Sequence, residues 1–278
     1  MLGQLHPKDI EYFSKIGKEQ GMLKIDSLIN LTPDKKEIIF VKAMILSSIY
    51  QDNEGAINTY KEFLKLSNDS IANAGALGNI ANNYYQLGNI EEARKSLDKG
   101  LKLNSENPYL LHQRGLVIEE KSMDSLKIQE GYYKKSLEKM YKLGVDKKDS
   151  TLEPMILGNI GFNLYHQKRF EESISYLEKS LSIDNTTVNV LNNLGNALQR
   201  LGMYEESHEY YDQALKINPN YLFSINGKAN SYFKMYDLNS ACRNWKKVIN
   251  LGYVFLEEWR DQYDIEDPKI LISEFCKN

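Results

Sequence analysis

The chain has 278 residues, of which 42% are hydrophobic and 26% are charged, so its composition is that of a folded protein rather than a disordered one. It contains only six prolines and no Gly/Ser-rich or Pro-rich stretch, which predicts one continuous domain over residues 1–278. The net charge is −3, with acidic and basic residues interspersed, so no basic stripe is available for nucleic acid.

The sequence predicts helical units of about 34 residues, and the first two are the least regular. Residues 6–39 predict a degenerate first unit, and residues 40–73 predict a second unit with a shortened turn. Apolar and small residues at helical spacing carry both predictions: Phe13, Met22, Ile25 and Ile29 in the first, and Ala43, Ser47, Tyr50, Ala56, Tyr60 and Leu64 in the second.

The unit at residues 74–107 is the first regular one, and residues 108–153 follow it as a modified unit. The regular unit has apolar or small residues at Leu77, Ile80, Ala81, Tyr84, Ala93, Leu97 and Gly100. The modified unit keeps Leu111, Gly115, Ile118, Tyr133, Ser136 and Leu137, with two extra residues between its helices and a charged bulge around 144–153.

Three further regular units occupy residues 154–187, 188–221 and 222–255. Matching slots hold Leu157, Ile160, Gly161, Leu164, Ser173, Leu177 and Ser180; then Leu191, Leu194, Gly195, Leu198, Ser207, Tyr211 and Ala214; then Ile225, Lys228, Ala229, Tyr232, Ala241, Trp245 and Val248. The spacing of three and four residues within each half predicts two amphipathic helices per unit, here called helix A and helix B. Gly88 and Gly202 suit a left-handed residue that ends helix A, and the small residues permit close helix packing.

Residues 256–278 predict a C-terminal capping helix. Phe255, Trp259 and Tyr263 form an aromatic stripe that would cover the last repeat. Cys242 and Cys276 form no disulfide framework and no metal site, so we interpret them as two small, partly buried side chains. The alternative is a single disulfide that fastens the final helix.

This pattern resembles the tetratricopeptide repeat (TPR) family. Pro219 keeps the family's proline after helix B, whereas Ser105 and Asn185 replace it. The resemblance implies an all-α, right-handed α-solenoid of stacked antiparallel helix pairs, with about seven units, a C-terminal cap and a concave groove lined by helix A. Residues 241–253 are similar to the terminal repeats of bacterial TPR proteins, which indicates a bacterial source.

Asparagine is concentrated at helix A positions that would face such a groove. Because asparagine is a poor helix former, its recurrence there costs helix propensity and favours a role in binding. A carboxamide offers a donor and an acceptor to an extended backbone, as in TPR proteins that bind peptides through an asparagine ladder. The alternative is that these asparagines only cover a solvated face. The predicted peptide-binding residues are Asn79, Asn82, Asn159, Phe162, Asn192, Asn193, Asn196, Arg200, Asn226, Asn230 and Phe233.

No catalytic motif, cofactor site or metal site is found in the sequence, and we interpret the four histidines as surface residues. We therefore expect a non-catalytic adaptor that binds another protein or an extended peptide. The alternative is an assembly factor that self-associates through its caps or outer surface. Replacing both Asn193 and Asn196 with alanine is expected to leave the melting temperature nearly unchanged.

The longest apolar stretch, residues 38–46, is shorter than the ~20 residues that cross a bilayer. Residues 1–7 lack a basic region followed by an apolar core, so no signal peptide is expected. These features predict a cytoplasmic protein without membrane partners. A periplasmic or secreted location is the alternative if a signal peptide has been removed.

Overall fold

The computed structural model describes residues 7–118, 122–144, 151–256 and 266–276, and these residues are helical apart from turns and short connections. The prediction of an all-α array of helix pairs is confirmed. The helices are α1 (Pro7–Leu31), α2 (Lys36–Ser48), α3 (Asn53–Leu66), α4 (Ser70–Gln86), α5 (Ile90–Leu103), α6 (Pro108–Leu116), α7 (Met123–Lys142), α8 (Leu152–His166), α9 (Phe170–Ile183), α10 (Val188–Arg200), α11 (Tyr204–Ile217), α12 (Leu222–Lys234), α13 (Leu238–Asn250) and α14 (Pro268–Phe275).

The chain groups into two compact units, which are described separately. Unit 1 comprises residues 1–119 and 138–143, and unit 2 comprises residues 120–137 and 144–278. The prediction of one continuous domain therefore stays a prediction.

In unit 1 the degenerate first repeat is one helical run, α1, interrupted at Gly17, whose φ of 74° and ψ of 167° lie outside the helical region. Tyr50 bridges this break, because its hydroxyl lies 3.0 Å from the carbonyl oxygens of both Phe13 and Gly17. Helix α2 begins at Lys36, whereas the predicted unit begins at residue 40. The core beside it is aromatic and buried, built on Phe40, Tyr60 and Phe63.

Unit 2 contains three regular helix pairs, α8–α9, α10–α11 and α12–α13. The turn within each pair needs a residue with positive φ, which is Lys168 (59°), Gly202 (79°) and Tyr236 (62°) in successive repeats. The prediction that Gly88 and Gly202 adopt this left-handed conformation is confirmed. Lys168 and Tyr236 adopt it at the cost of strain that glycine would not have.

Small residues let neighbouring helices of unit 2 approach closely around Tyr211, which is fully buried. A Cβ atom on Gly195 would lie 2.6 Å from Cε1 of this ring, and one on Gly227 would lie 2.5 Å from its Cζ. Glycines of two successive A helices therefore form the slot that holds one helix B aromatic ring.

The C-terminal cap includes α14, which packs on α13 and is joined to it by a disulfide between Cys242 and Cys276. The interpretation of these cysteines as unpaired side chains is wrong, because packing of α14 brings their Cα atoms to 5.6 Å. Of the predicted aromatic stripe, Phe255 packs on a core cluster with Tyr253, whereas Trp259 and Tyr263 lie outside the described residues. The predicted bulge also lies largely outside them.

The interpretation of every histidine as a surface residue is wrong for His112, which is 1% exposed in α6. His112 lies on the packed face of α6, and its chain neighbours Leu111 and Gln113 are also buried. His166 and His208 are half-buried, and His6 lies outside the described residues.

Candidate functional site

Unit 2 contains a groove of about 1200 Å³ lined mainly by its three A helices, α8, α10 and α12. The predicted residues on these helices all line it, namely Asn159, Phe162, Asn192, Asn193, Asn196, Arg200, Asn226, Asn230 and Phe233. The two remaining predicted residues, Asn79 and Asn82, lie on α4 of unit 1 and are not part of this groove. The candidate site is therefore a property of unit 2.

The 34-residue register arranges the lining residues in three bands. The apolar edge consists of Met155, Tyr221 and Phe223, near the N-terminal ends of the A helices. The amide floor consists of Asn159, Asn192, Asn193, Asn196, Asn226 and Asn230, in the middle of the helices. The cationic edge consists of Arg200 and Lys234, each the last residue of its helix, and His166 occupies the equivalent position of α8.

Several floor amides are oriented by hydrogen bonds from inside the repeats. Tyr211 Oη donates to Asn196 Oδ1 across 2.8 Å, and Trp245 Nε1 donates to Asn230 Oδ1 across 3.0 Å. An indole N–H can only donate, so Asn230 must turn Oδ1 inward and keep Nδ2 for a ligand. Each carboxamide was expected to offer both a donor and an acceptor, but these two offer their donors.

Asn192 is oriented in the same way, because Ser224 Oγ lies 3.0 Å from its Oδ1 in a buried contact. Its neighbour Asn193 is half-buried, and its side chain makes no hydrogen bond within the described part of the chain. On α10, the floor therefore has one amide, Asn192, that is hydrogen-bonded to the next repeat, and one, Asn193, that makes no hydrogen bond within the described residues.

Asn226 differs from Asn192, the equally buried floor amide one repeat earlier. Asn226 is 5% exposed, and its Oδ1 has no hydrogen-bond partner among the described residues. Buried polar atoms are almost always satisfied in native proteins, so a buried acceptor without a partner in a groove lining indicates a place for a donor from a ligand.

The aromatic and cationic lining residues are also held by neighbours. The Phe162 ring contacts His166 at a centroid distance of 4.3 Å, and Phe233 lies between Trp245 at 5.4 Å and Phe275 at 4.9 Å. The Arg200 guanidinium stacks 5.4 Å above the Phe170 ring. These contacts within the protein therefore hold much of the lining in place.

Sequence reasoning missed Gln199, whose Nε2 donates to Gly227 O at 2.9 Å and to Ser231 Oγ at 2.7 Å. This amide lines the groove and joins α10 to α12. The helix A asparagines do not all face the groove, since Asn83 and Asn163 are buried. Asn163 Nδ2 donates to Gln129 Oε1 across 2.9 Å, so its slot serves packing between neighbouring helices.

The corresponding amides of unit 1 have different surroundings. Asn79 Nδ2 donates to Tyr60 Oη across 3.0 Å, and Asn82 is half-buried on the same helix. The Asn79 amide is therefore used in packing within unit 1.

The described residues contain no group of three or more histidine, cysteine, aspartate or glutamate side chains that could hold a metal ion. A search of the same residues finds no helix that is long and apolar enough to cross a membrane.

The helix pairs, the left-handed turns and the groove along the A helices define an all-α helical-repeat protein. A family model described as "Tetratricopeptide repeat" matches residues 152–220, and one described as "TPR repeat" matches residues 81–122. The chain therefore contains tetratricopeptide repeats within these two segments. No curated protein matches the sequence significantly.

Solved structures of TPR proteins are similar in fold. YrrB, described as a TPR protein with an unusual peptide-binding site, is 17% identical with a TM-score of 0.53, over 69% of this chain and 92% of that one. Pseudomonas aeruginosa pilF is 22% identical with a TM-score of 0.55, over 67% and 80%. PilW, a type IV pilus biogenesis factor, is 15% identical with a TM-score of 0.64, over 86% and 98%. At these identities the likeness concerns the fold alone.

Proposed function

We propose that this protein is a non-catalytic adaptor that binds an extended segment of a partner protein in the groove of unit 2. The amide floor contacts the backbone of that segment. Nδ2 groups of Asn192, Asn196 and Asn230 donate to its carbonyl oxygens, and Asn226 Oδ1 accepts from one of its N–H groups. Contacts of this kind grip a peptide largely irrespective of its side chains.

The observation that carries this proposal is the buried, unpartnered acceptor of Asn226. An orphaned buried acceptor destabilises the unliganded protein, whereas a backbone N–H in the groove would satisfy it. The groove also has a suitable size. Three A helices packed at ~10 Å intervals give a floor that matches roughly six to nine residues of extended chain at ~3.3 Å per residue.

A test begins with an array of immobilised peptides of about ten residues, each spanning ~33 Å when extended. The strongest binder is then measured by fluorescence anisotropy with wild type, Asn193→Ala and Asn226→Ala. Each variant is expected to bind more weakly by about 1 kcal/mol, or about fivefold in Kd. Neither is expected to melt below wild type, because alanine is the better helix former and neither side chain makes a hydrogen bond within the described residues.

Asn250→Ala is the matched control, because Asn250 is exposed at the end of α13 and does not line the groove. N-methylation of single peptide amides tests the backbone contact. One N-methyl group should weaken binding to wild type but not to Asn226→Ala, because that variant has already lost the acceptor. Unchanged affinity in both asparagine variants, or an equal loss in Asn250→Ala, would contradict the proposal.

Self-association through the caps or the outer surface is still the alternative prediction. Light scattering at several protein concentrations, with and without the bound peptide, separates it from peptide binding by a monomer.

A further inference from the structure

The groove is chemically different along its two long edges. Arg200 and Lys234 stand at the same slot of successive A helices, one repeat after His166. Among the A helices of unit 1, α6 also has a basic residue in its last turn, whereas α2 and α4 have none. Lys234 is exposed and forms no ion pair within the described part of the chain.

The opposite edge is largely apolar and open to solvent, with the polar Asn189 at the intervening equivalent position of α10. Met155 and Phe223 occupy the same slot of α8 and α12, with 51% and 49% of their surfaces exposed. The lining carboxylate near this edge, Asp184, is engaged by the hydroxyl groups of Thr186 and Thr187. The other lining carboxylate, Glu266, lies in the segment that leads into α14.

The two edges are separated by the width of an extended peptide and its side chains. On α12, Phe223 and Lys234 are 11 positions apart, which corresponds to ~16 Å along a helix axis. Successive side chains of an extended strand point in opposite directions. A strand whose backbone lies on the amide floor therefore directs one set of side chains to the apolar edge and the alternate set to the cationic edge.

We propose that the preferred occupant is an extended segment in which acidic and apolar side chains alternate. The acidic side chains pair with Arg200 and Lys234, and the apolar ones pack on Met155 and Phe223. This inference rests on the proposed function and adds the chemistry of the partner. Charge-assisted hydrogen bonds from the guanidinium and ammonium groups to the acidic side chains give the selection, whereas the floor gives contacts common to all peptides.

A purely structural role for the basic residues makes a different prediction. Cations near helix C-termini stabilise a helix through its macrodipole, and Arg200 also stacks on Phe170. If this were their whole role, neutralising them would change stability without changing the preference among peptides.

The experiment uses fluorescein-labelled peptides with the sequence Glu-Val-Glu-Leu repeated, its counterpart with lysine for every glutamate, and a third peptide of the first composition with all glutamates grouped at one end. We expect wild type to bind the alternating acidic peptide about tenfold or more tightly than either counterpart. The preference over the lysine peptide should decrease with added salt.

The double variant Arg200→Gln, Lys234→Gln should lose the preference for the acidic peptide over the lysine peptide. The matched control is Lys246→Gln, Lys247→Gln, which changes the net charge equally at two exposed positions of α13 outside the groove. The control should keep the wild-type preference.

Equal affinity for the alternating acidic peptide and either counterpart, or an equal loss of preference in the control, would overturn the inference and leave the proposed function standing. The same holds if none of the three peptides binds while array peptides bind in a manner that depends on Asn193 and Asn226. If no peptide of any kind binds, both the inference and the proposed function are overturned.

Discussion

Tyr211 and Asn196 lie 15 residues apart in sequence and are joined by a 2.8 Å hydrogen bond from the tyrosine hydroxyl to Oδ1. Tyr211 is fully buried, and this burial raises its pKa well above the usual value, so the hydroxyl remains protonated and can donate. The same relationship recurs one repeat later between Trp245 and Asn230. Core aromatics of the B helices thus orient amides on the groove surface of the A helices.

This relationship changes the expected effect of replacing Asn196. Asn196→Ala would leave the buried Tyr211 hydroxyl without its partner, which costs about 1–3 kcal/mol of unfolding free energy. Tyr211→Phe should cost less, and the double variant should cost clearly less than the sum. Urea denaturation of the four proteins measures these values, and strictly additive losses would show that the bond contributes nothing.

The expectation that Asn193→Ala and Asn196→Ala together leave the melting temperature unchanged is thus kept for Asn193 alone. Asn193 has no hydrogen bond to lose within the described residues. It is therefore the cleaner probe of binding.

The slot around Tyr211 leads to a second prediction. Gly195→Ala should lower the unfolding free energy by about 1–3 kcal/mol, because the new methyl group would lie 2.6 Å from the buried ring. Gly131→Ala is the matched control in α7, since its Cβ would meet no atom within 4 Å. In an exposed helix this change should stabilise by about 0.5–1 kcal/mol. Chemical denaturation should show a lower unfolding free energy for Gly195→Ala and a higher one for Gly131→Ala. If both variants were stabilised, Gly195 would not be needed to make room for the Tyr211 ring.

A third prediction concerns pH and His112. Burial lowers the pKa of His112 from 6.5 to about 4, so the unfolded chain takes up a proton at a higher pH than the folded chain does. The contribution of this residue to stability is thus complete above pH 6.5, decreases as the pH is lowered toward 4, and is constant below that. Over this pH range the contribution of His112 to the free energy of unfolding changes by about 3 kcal/mol.

Urea denaturation of wild type and His112→Gln over this pH range measures the effect. The difference in unfolding free energy between the two proteins should depend on pH between about 6.5 and 4. Because both share the same carboxylates, their acid titration cancels in this comparison. Parallel pH profiles would be inconsistent with a buried, neutral histidine.

Sequence periodicity was sufficient to predict the helix pairs and the groove positions of unit 2, since residues 34 apart fall into equivalent slots. It could not show that Asn196 Oδ1 accepts a hydrogen bond from Tyr211, because that bond depends on how two helices pack. The pairing of Cys242 with Cys276 likewise depends on the docking of α14. The left-handed conformation of Lys168 and Tyr236 could not be predicted from the sequence, because neither residue type favours that conformation.

Because Cys242 and Cys276 form a disulfide, a reducing buffer changes the covalent structure of the protein. Leu271 of α14 lines the groove, and Phe275 of the same helix lies 4.9 Å from the groove residue Phe233. A thiol reductant cuts the covalent tie that keeps this helix beside them. Peptide affinities measured with and without a thiol reductant therefore refer to two chemically distinct forms of the protein and should not be compared directly.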